Sequence, residues 1–88
     1  MEIYLGKTGL DKTFQEDFPE TVKCHKCGGE ARIMLVGTER YPEDKGNFIC
    51  DLHETTGKKG GLWFHDAVAV AVYACKECLE VTAEVNQA

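Results

Sequence analysis

Cys24-His25-Lys26-Cys27 and Cys75-Lys76-Glu77-Cys78 are two C-x-x-C units in one short chain. A cysteine sulfur can be a nucleophile, a redox centre or a soft metal ligand, and its neighbours decide which. One C-x-x-C suits a dithiol that cycles with a disulfide. Two suit a closed metal site. The two-residue spacer lets both sulfurs of a tight turn reach one ion. Two facing turns then supply four sulfurs at about 2.3 Å in a tetrahedron. Gly28 and Gly29 follow the first pair, where the chain needs φ > 0 and where backbone N–H groups approach the sulfurs. The spacing therefore predicts Cys24, Cys27, Cys75 and Cys78 as ligands of one Zn²⁺ per chain. Four thiolates around that ion leave roughly two negative charges, and Lys23, Lys26 and Lys76 stand beside them in an otherwise acidic chain. Four protein ligands leave no open coordination position, and no Ser/His/Asp set has recognisable spacing, so no catalysis is expected.

Other residues carry weaker signals. Cys50 is the odd cysteine, in Cys50-Asp51-Leu52-His53, and with His65 it defines a candidate second metal site of Cys50, His53 and His65. A regular strand sends Cys50 and His53 to opposite faces, which argues against it. His25 could replace a cysteine, but its neighbours already complete the set. Gly6-Lys7-Thr8 lacks the upstream glycine of a P-loop. Gly57-Lys58-Lys59-Gly60-Gly61 reads as a solvated hairpin loop. Lys58, Lys59 and Trp63 are candidate partner contacts, although Trp63 reads first as a core residue.

The elements that must position the cysteines are strand-like. Ala31, Ile33 and Leu35 alternate with Arg32, Met34 and Val36. Pro42 to Asn47 mark a turn, 48–53 a second strand, and Leu62 to His65 open a third segment. Residues 67–74 alternate alanine, which favours helix, with valine, which favours strand. The period of two favours the strand over the helix, and with both faces apolar it should be the central, most buried one. Leu79, Val81, Ala83 and Val85 alternate with Glu80, Thr82, Glu84 and Asn86, as in a half-buried strand with one wet face. Residues 1–21 read as an N-terminal arm packing on a main domain of residues 22–88. Leu10, Phe14 and Phe18 share helix spacing there, and Asp11 would cap a short helix at Lys12–Asp17. An irregular arm anchored by two aromatics is the alternative.

With these strands beside Cys24, Cys27, Gly28, Cys75 and Cys78, the sequence resembles a zinc ribbon over roughly residues 22–37 and 67–86. The resemblance implies a small metal-stabilised, mainly-β domain. Its antiparallel sheet has three to five strands, and two knuckles clamp one Zn²⁺. Forty-seven residues separate Cys27 from Cys75, so a hairpin is expected as an insertion, and strand order stays open.

Composition sets the function classes. At 88 residues there is room for one core, worth about 3–5 kcal/mol net, which makes a staple necessary. No apolar run long enough to span a membrane is present, nor is a basic, then apolar leader visible. A reducing, cytoplasmic setting is therefore expected, and it disfavours disulfides. Zinc ribbons often serve nucleic-acid machinery, but the charge is −5 overall. Residues 1–21 hold five acids against two lysines, which leaves −2 for the rest. That is no footprint for phosphate backbones. A protein partner is the favoured expectation, with the chain as an interaction or adaptor module. Two competing readings come from another class. A rubredoxin-like iron carrier shares Cys27-Gly28 but lacks a glycine after Cys78. A dithiol oxidoreductase needs only one C-x-x-C.

Overall fold

The computed structural model describes residues 1–40 and 67–87. The readings made for 41–66, including Cys50, His53, Lys58, Lys59, Trp63 and His65, lie outside the described residues. Five strands form one antiparallel sheet: β1 (Glu2–Leu5), β2 (Thr21–Lys23), β3 (Glu30–Thr38), β4 (Val68–Cys75) and β5 (Val81–Gln87). The order is β1-β3-β4-β5, and β2 pairs with the other half of β3 from β1. The alanine–valine alternation does place β4 between two neighbours, and its Val68, Ala69, Ala71, Tyr73 and Cys75 are buried.

The expected helix at Lys12–Asp17 is not formed. The described residues contain no α-helix, only a 3-10 turn at Gly6–Gly9. Sheet side chains and local turns claim the backbone of that segment instead. Thr38 Oγ1 donates to the Lys12 carbonyl at 2.6 Å, Phe14 N–H donates to Asn86 Oδ1 at 3.3 Å, and Phe18 N–H donates to the Leu10 carbonyl at 2.9 Å. A helix this short cannot compete with such partners. Of the two aromatic anchors, Phe18 is buried and Phe14 is exposed. The start of the arm is itself a strand, since β1 adds to β3 with Tyr4 opposite Val36. Gly9 permits this turn to lie flat on the sheet: a Cβ there would stand 2.6 Å from Tyr4 Cβ and 2.8 Å from Val36 Cβ.

The simple alternation expected along β3 breaks at Met34. Ile33 pairs with Tyr73 and Leu35 with Val72, so Met34 is the extra residue of a bulge. Beyond it every side chain changes face. Val36 joins Ala31 and Ile33 on the covered side, and Leu35 joins Arg32 on the other. The core consists of Phe18, Cys24, Ala31, Val36, Ala69, Ala71, Tyr73 and Cys75, between the sheet and the arm. Tyr73 closes it, with its hydroxyl donating to the Pro19 carbonyl at 2.7 Å.

β5 forms as expected, but it is turned over. Its valines face out, with Val81 51% and Val85 59% exposed, while Thr82, Glu84 and Asn86 lie half-buried on the arm's side. Polar groups are required there. Asn86 accepts from Phe14 N–H and donates through Nδ2 to Thr13 Oγ1, and so serves a loop with no ladder of its own.

A four-cysteine candidate metal centre

β2 delivers Cys24 and the start of β3 follows Cys27, while β4 delivers Cys75 and β5 follows Cys78. Pairing of Ala31 with Cys75 sets the two turns side by side at one end of the sheet, and Lys76 N–H donates to the Glu30 carbonyl across them at 3.1 Å. The four sulfurs lie within 4.8 Å of one another. Across the turns, Cys24 Sγ is 3.7 Å from Cys78 Sγ and Cys27 Sγ is 3.5 Å from Cys75 Sγ. A tetrahedron with metal–sulfur bonds of about 2.3 Å has edges of about 3.8 Å, so the donor set fits a thiolate-bound ion. Cys24 and Cys75 are buried and Cys27 and Cys78 are exposed.

The two turns are built alike. Gly28 N–H donates to the Cys24 carbonyl at 3.1 Å, and Leu79 N–H donates to the Cys75 carbonyl at 3.0 Å. Cys24 N–H meets the Gly29 carbonyl at 2.7 Å, and Cys75 N–H meets the Glu80 carbonyl at 2.9 Å. Lys26 N–H points at Cys24 Sγ and Glu77 N–H at Cys75 Sγ, each at 3.4 Å. Gly29 N–H points at Cys27 Sγ at 3.3 Å. In this scheme Leu79 stands where the first turn has a glycine: φ is +63° at Leu79 and +78° at Gly28. The sequence carried no signal of this, because leucine rarely adopts that conformation.

The N–H groups decide which sulfurs ionise first. The Cys27 and Lys26 amides hold Cys24 down at about 6, and the Cys78 and Glu77 amides lower Cys75 likewise. The Gly29 amide pulls Cys27 down as well, yet the thiols of Cys75 and Cys78 outweigh it and push Cys27 up to about 12. Cys78 is raised in the same way: crowding and burial overcome the Glu80 amide. Four sulfurs this close ionise together only around a cation.

The expected cationic shell is partly diverted. Lys26 pairs with Glu80 and Lys76 with Glu30, each at 3.8 Å, and backbone amides take over the role of stabilising the sulfurs. Glu77, which the sequence did not single out, brings its carboxylate to 4.0 Å from Cys27 Sγ. His25 is engaged elsewhere, with Nε2 3.1 Å from the Val81 carbonyl oxygen. Among the described residues no helix is long and apolar enough to cross a membrane. Compared with protein-family models, curated proteins and solved structures, the chain matches none.

Proposed function

We propose that this chain is a zinc-ribbon-like protein. Cys24, Cys27, Cys75 and Cys78 hold one structural Zn²⁺ in it, and it acts as a protein-interaction or adaptor module without catalysis of its own. The observation that carries the proposal is the cluster of four sulfurs within 4.8 Å, contributed by two turns of the same construction. A full thiolate set supplies the ion with no vacant position, which suits a staple and not a reaction centre. The small core is consistent with that role, because structural zinc sites contribute about 10–16 kcal/mol of apparent binding free energy near neutral pH. The acidic balance favours a protein over a nucleic acid as partner, and the thiol-rich site favours the cytoplasm.

One observation favours a second reading, an iron electron carrier. Amide N–H···S contacts of the kind made by Lys26, Gly29 and Glu77 also set the potential of iron–thiolate centres. Native mass spectrometry with elemental analysis separates the two. One zinc per colourless chain supports the adaptor reading. One iron in a red chain that bleaches on reduction replaces it, and no metal removes both.

A further inference from the structure

Among the described residues strand β5 ends the sheet, and its ladder with β4 fixes which of its backbone groups face away. Cys75 N–H donates to the Glu80 carbonyl, so Glu80 is turned toward β4. In an antiparallel ladder alternate residues turn outward, which assigns the outer edge to Val81, Ala83, Val85 and Gln87. Two contacts confirm that parity. His25 Nε2 lies 3.1 Å from the Val81 carbonyl, and Gln15 Nε2 donates to the Gln87 carbonyl at 2.9 Å. These two side chains frame a window. Between them the N–H and C=O groups of Ala83 and Val85 have no partner among the described residues.

Exposed edges are ordinarily blunted by shortness, by lysine or proline, or by a bulge. The opposite edge follows that rule: β1 has four residues and β2 three, with a Lys7–Glu20 ion pair at the gap between them. β5 has seven residues, Val-Thr-Ala-Glu-Val-Asn-Gln, and its register against β4 has no irregularity. Its two faces differ. Val81, Ala83 and Val85 are exposed on the open face and continue across the sheet into Val70, Val72, Ile3 and Leu5. On the other face, among the described residues, Glu84 makes no ion pair and the buried hydroxyl of Thr82 has no hydrogen-bond partner.

We propose that β5 is a strand-addition site: an extended segment of a protein partner pairs with Ala83 and Val85, laying apolar residues beside the exposed valines and a lysine or arginine opposite Glu84. The proposal rests on the adaptor reading and deepens it by giving the partner's chemistry. Main-chain hydrogen bonds supply affinity, and the alternating side chains supply choice. A cross-strand pair of opposite charge is favourable and one of like charge is not. A second copy of this chain is the poorer occupant, because it brings its own Glu84 and a net charge of −5.

The test uses the metal-loaded full chain and a blocked heptapeptide of alternating valine and lysine, with a valine–glutamate heptapeptide as control. Hydrogen exchange followed by NMR should find the Ala83 and Val85 amides fast in the free chain, and those of Thr82, Glu84 and Asn86 slow. The lysine peptide should saturate and slow Ala83 and Val85 at least ten-fold, and the glutamate peptide should bind at least ten-fold more weakly. Glu84→Lys should reverse that preference. Val85→Pro removes only an outward N–H, so it should keep the fold and lose the binding. Protection of Ala83 and Val85 in the free monomer would overturn the proposal. Equal binding of the two peptides, no saturable binding, or protection that grows with protein concentration alone would do so too. A folded, zinc-loaded chain that ignores the lysine peptide sinks only the edge site, whereas iron or no metal sinks the adaptor reading beneath it.

Discussion

Leu79 holds a left-handed backbone with its side chain 79% exposed, so it bears the strain of that conformation with little burial in return. A non-glycine residue there costs about 1–2 kcal/mol, offset in part by the greater freedom glycine has when unfolded. Leu79→Gly is therefore expected to stabilise the loaded protein by roughly 0.5–1 kcal/mol, and Leu79→Val to destabilise it, as read from denaturant midpoints. Tyr73 gives a pH prediction. Burial, with Glu84 adding to it, raises its pKa to about 12 from 10.0. A raised folded value means stability that is fully present below pH 10 and falls as pH climbs toward 12. A shift of that size corresponds to about 2–3 kcal/mol. Tyr73→Phe should lose about 1–2 kcal/mol at neutral pH by orphaning the Pro19 carbonyl, and should show a flatter alkaline decline than the parent chain. The four cysteines could be read from spacing alone, because a two-residue spacer has few other uses. Leu79 could not, since what places it is the need of the second turn to copy the first.

At the level of strands, periodicity found β3, β4 and β5 but not which way they face. Nothing in Ile33-Met34-Leu35 announces a bulge, and one extra residue reverses every side chain after it. β5 turns Asn86 toward a partner 72 residues away, the Phe14 amide, which no local pattern contains. The same competition removed the helix expected at Lys12–Asp17. Gly9 and Phe18 are two of the points where the arm meets the sheet, and each can be tested. Gly9→Val should destabilise by about 1–3 kcal/mol, because the new side chain meets Tyr4 and Val36 Cβ atoms in place of a flexible chain end. Phe18→Ala should cost about 3–4 kcal/mol by emptying a buried position of the core. Equilibrium unfolding of metal-loaded variants measures both. Values near zero would mean that the arm is not part of the cooperative unit.

In the whole molecule, the candidate centre ties the turn between β2 and β3 to the turn between β4 and β5. Those turns lie about fifty residues apart in the chain, so a metal bridging them closes a long loop that the core alone must otherwise hold. Apart from Cys24 and Cys75, the core cluster among the described residues holds three alanines with one valine, one phenylalanine and one tyrosine. The open face of the sheet adds little, because Ile3, Leu5, Val81 and Val85 are half or more exposed. Shortage of core was visible in the length and cysteine count, and the structure shows where it arises: among the described residues the arm covers one face of the sheet, and those four apolar side chains of the other stay half or more exposed. The most direct test is to remove the metal with a strong chelator, confirm removal by elemental analysis, and record far-UV circular dichroism and a thermal melt. Loss of the β spectrum and of a cooperative transition, both restored by one equivalent of Zn²⁺, is the predicted result. An unchanged spectrum and melting temperature in verified metal-free protein would contradict the claim that zinc holds this fold together.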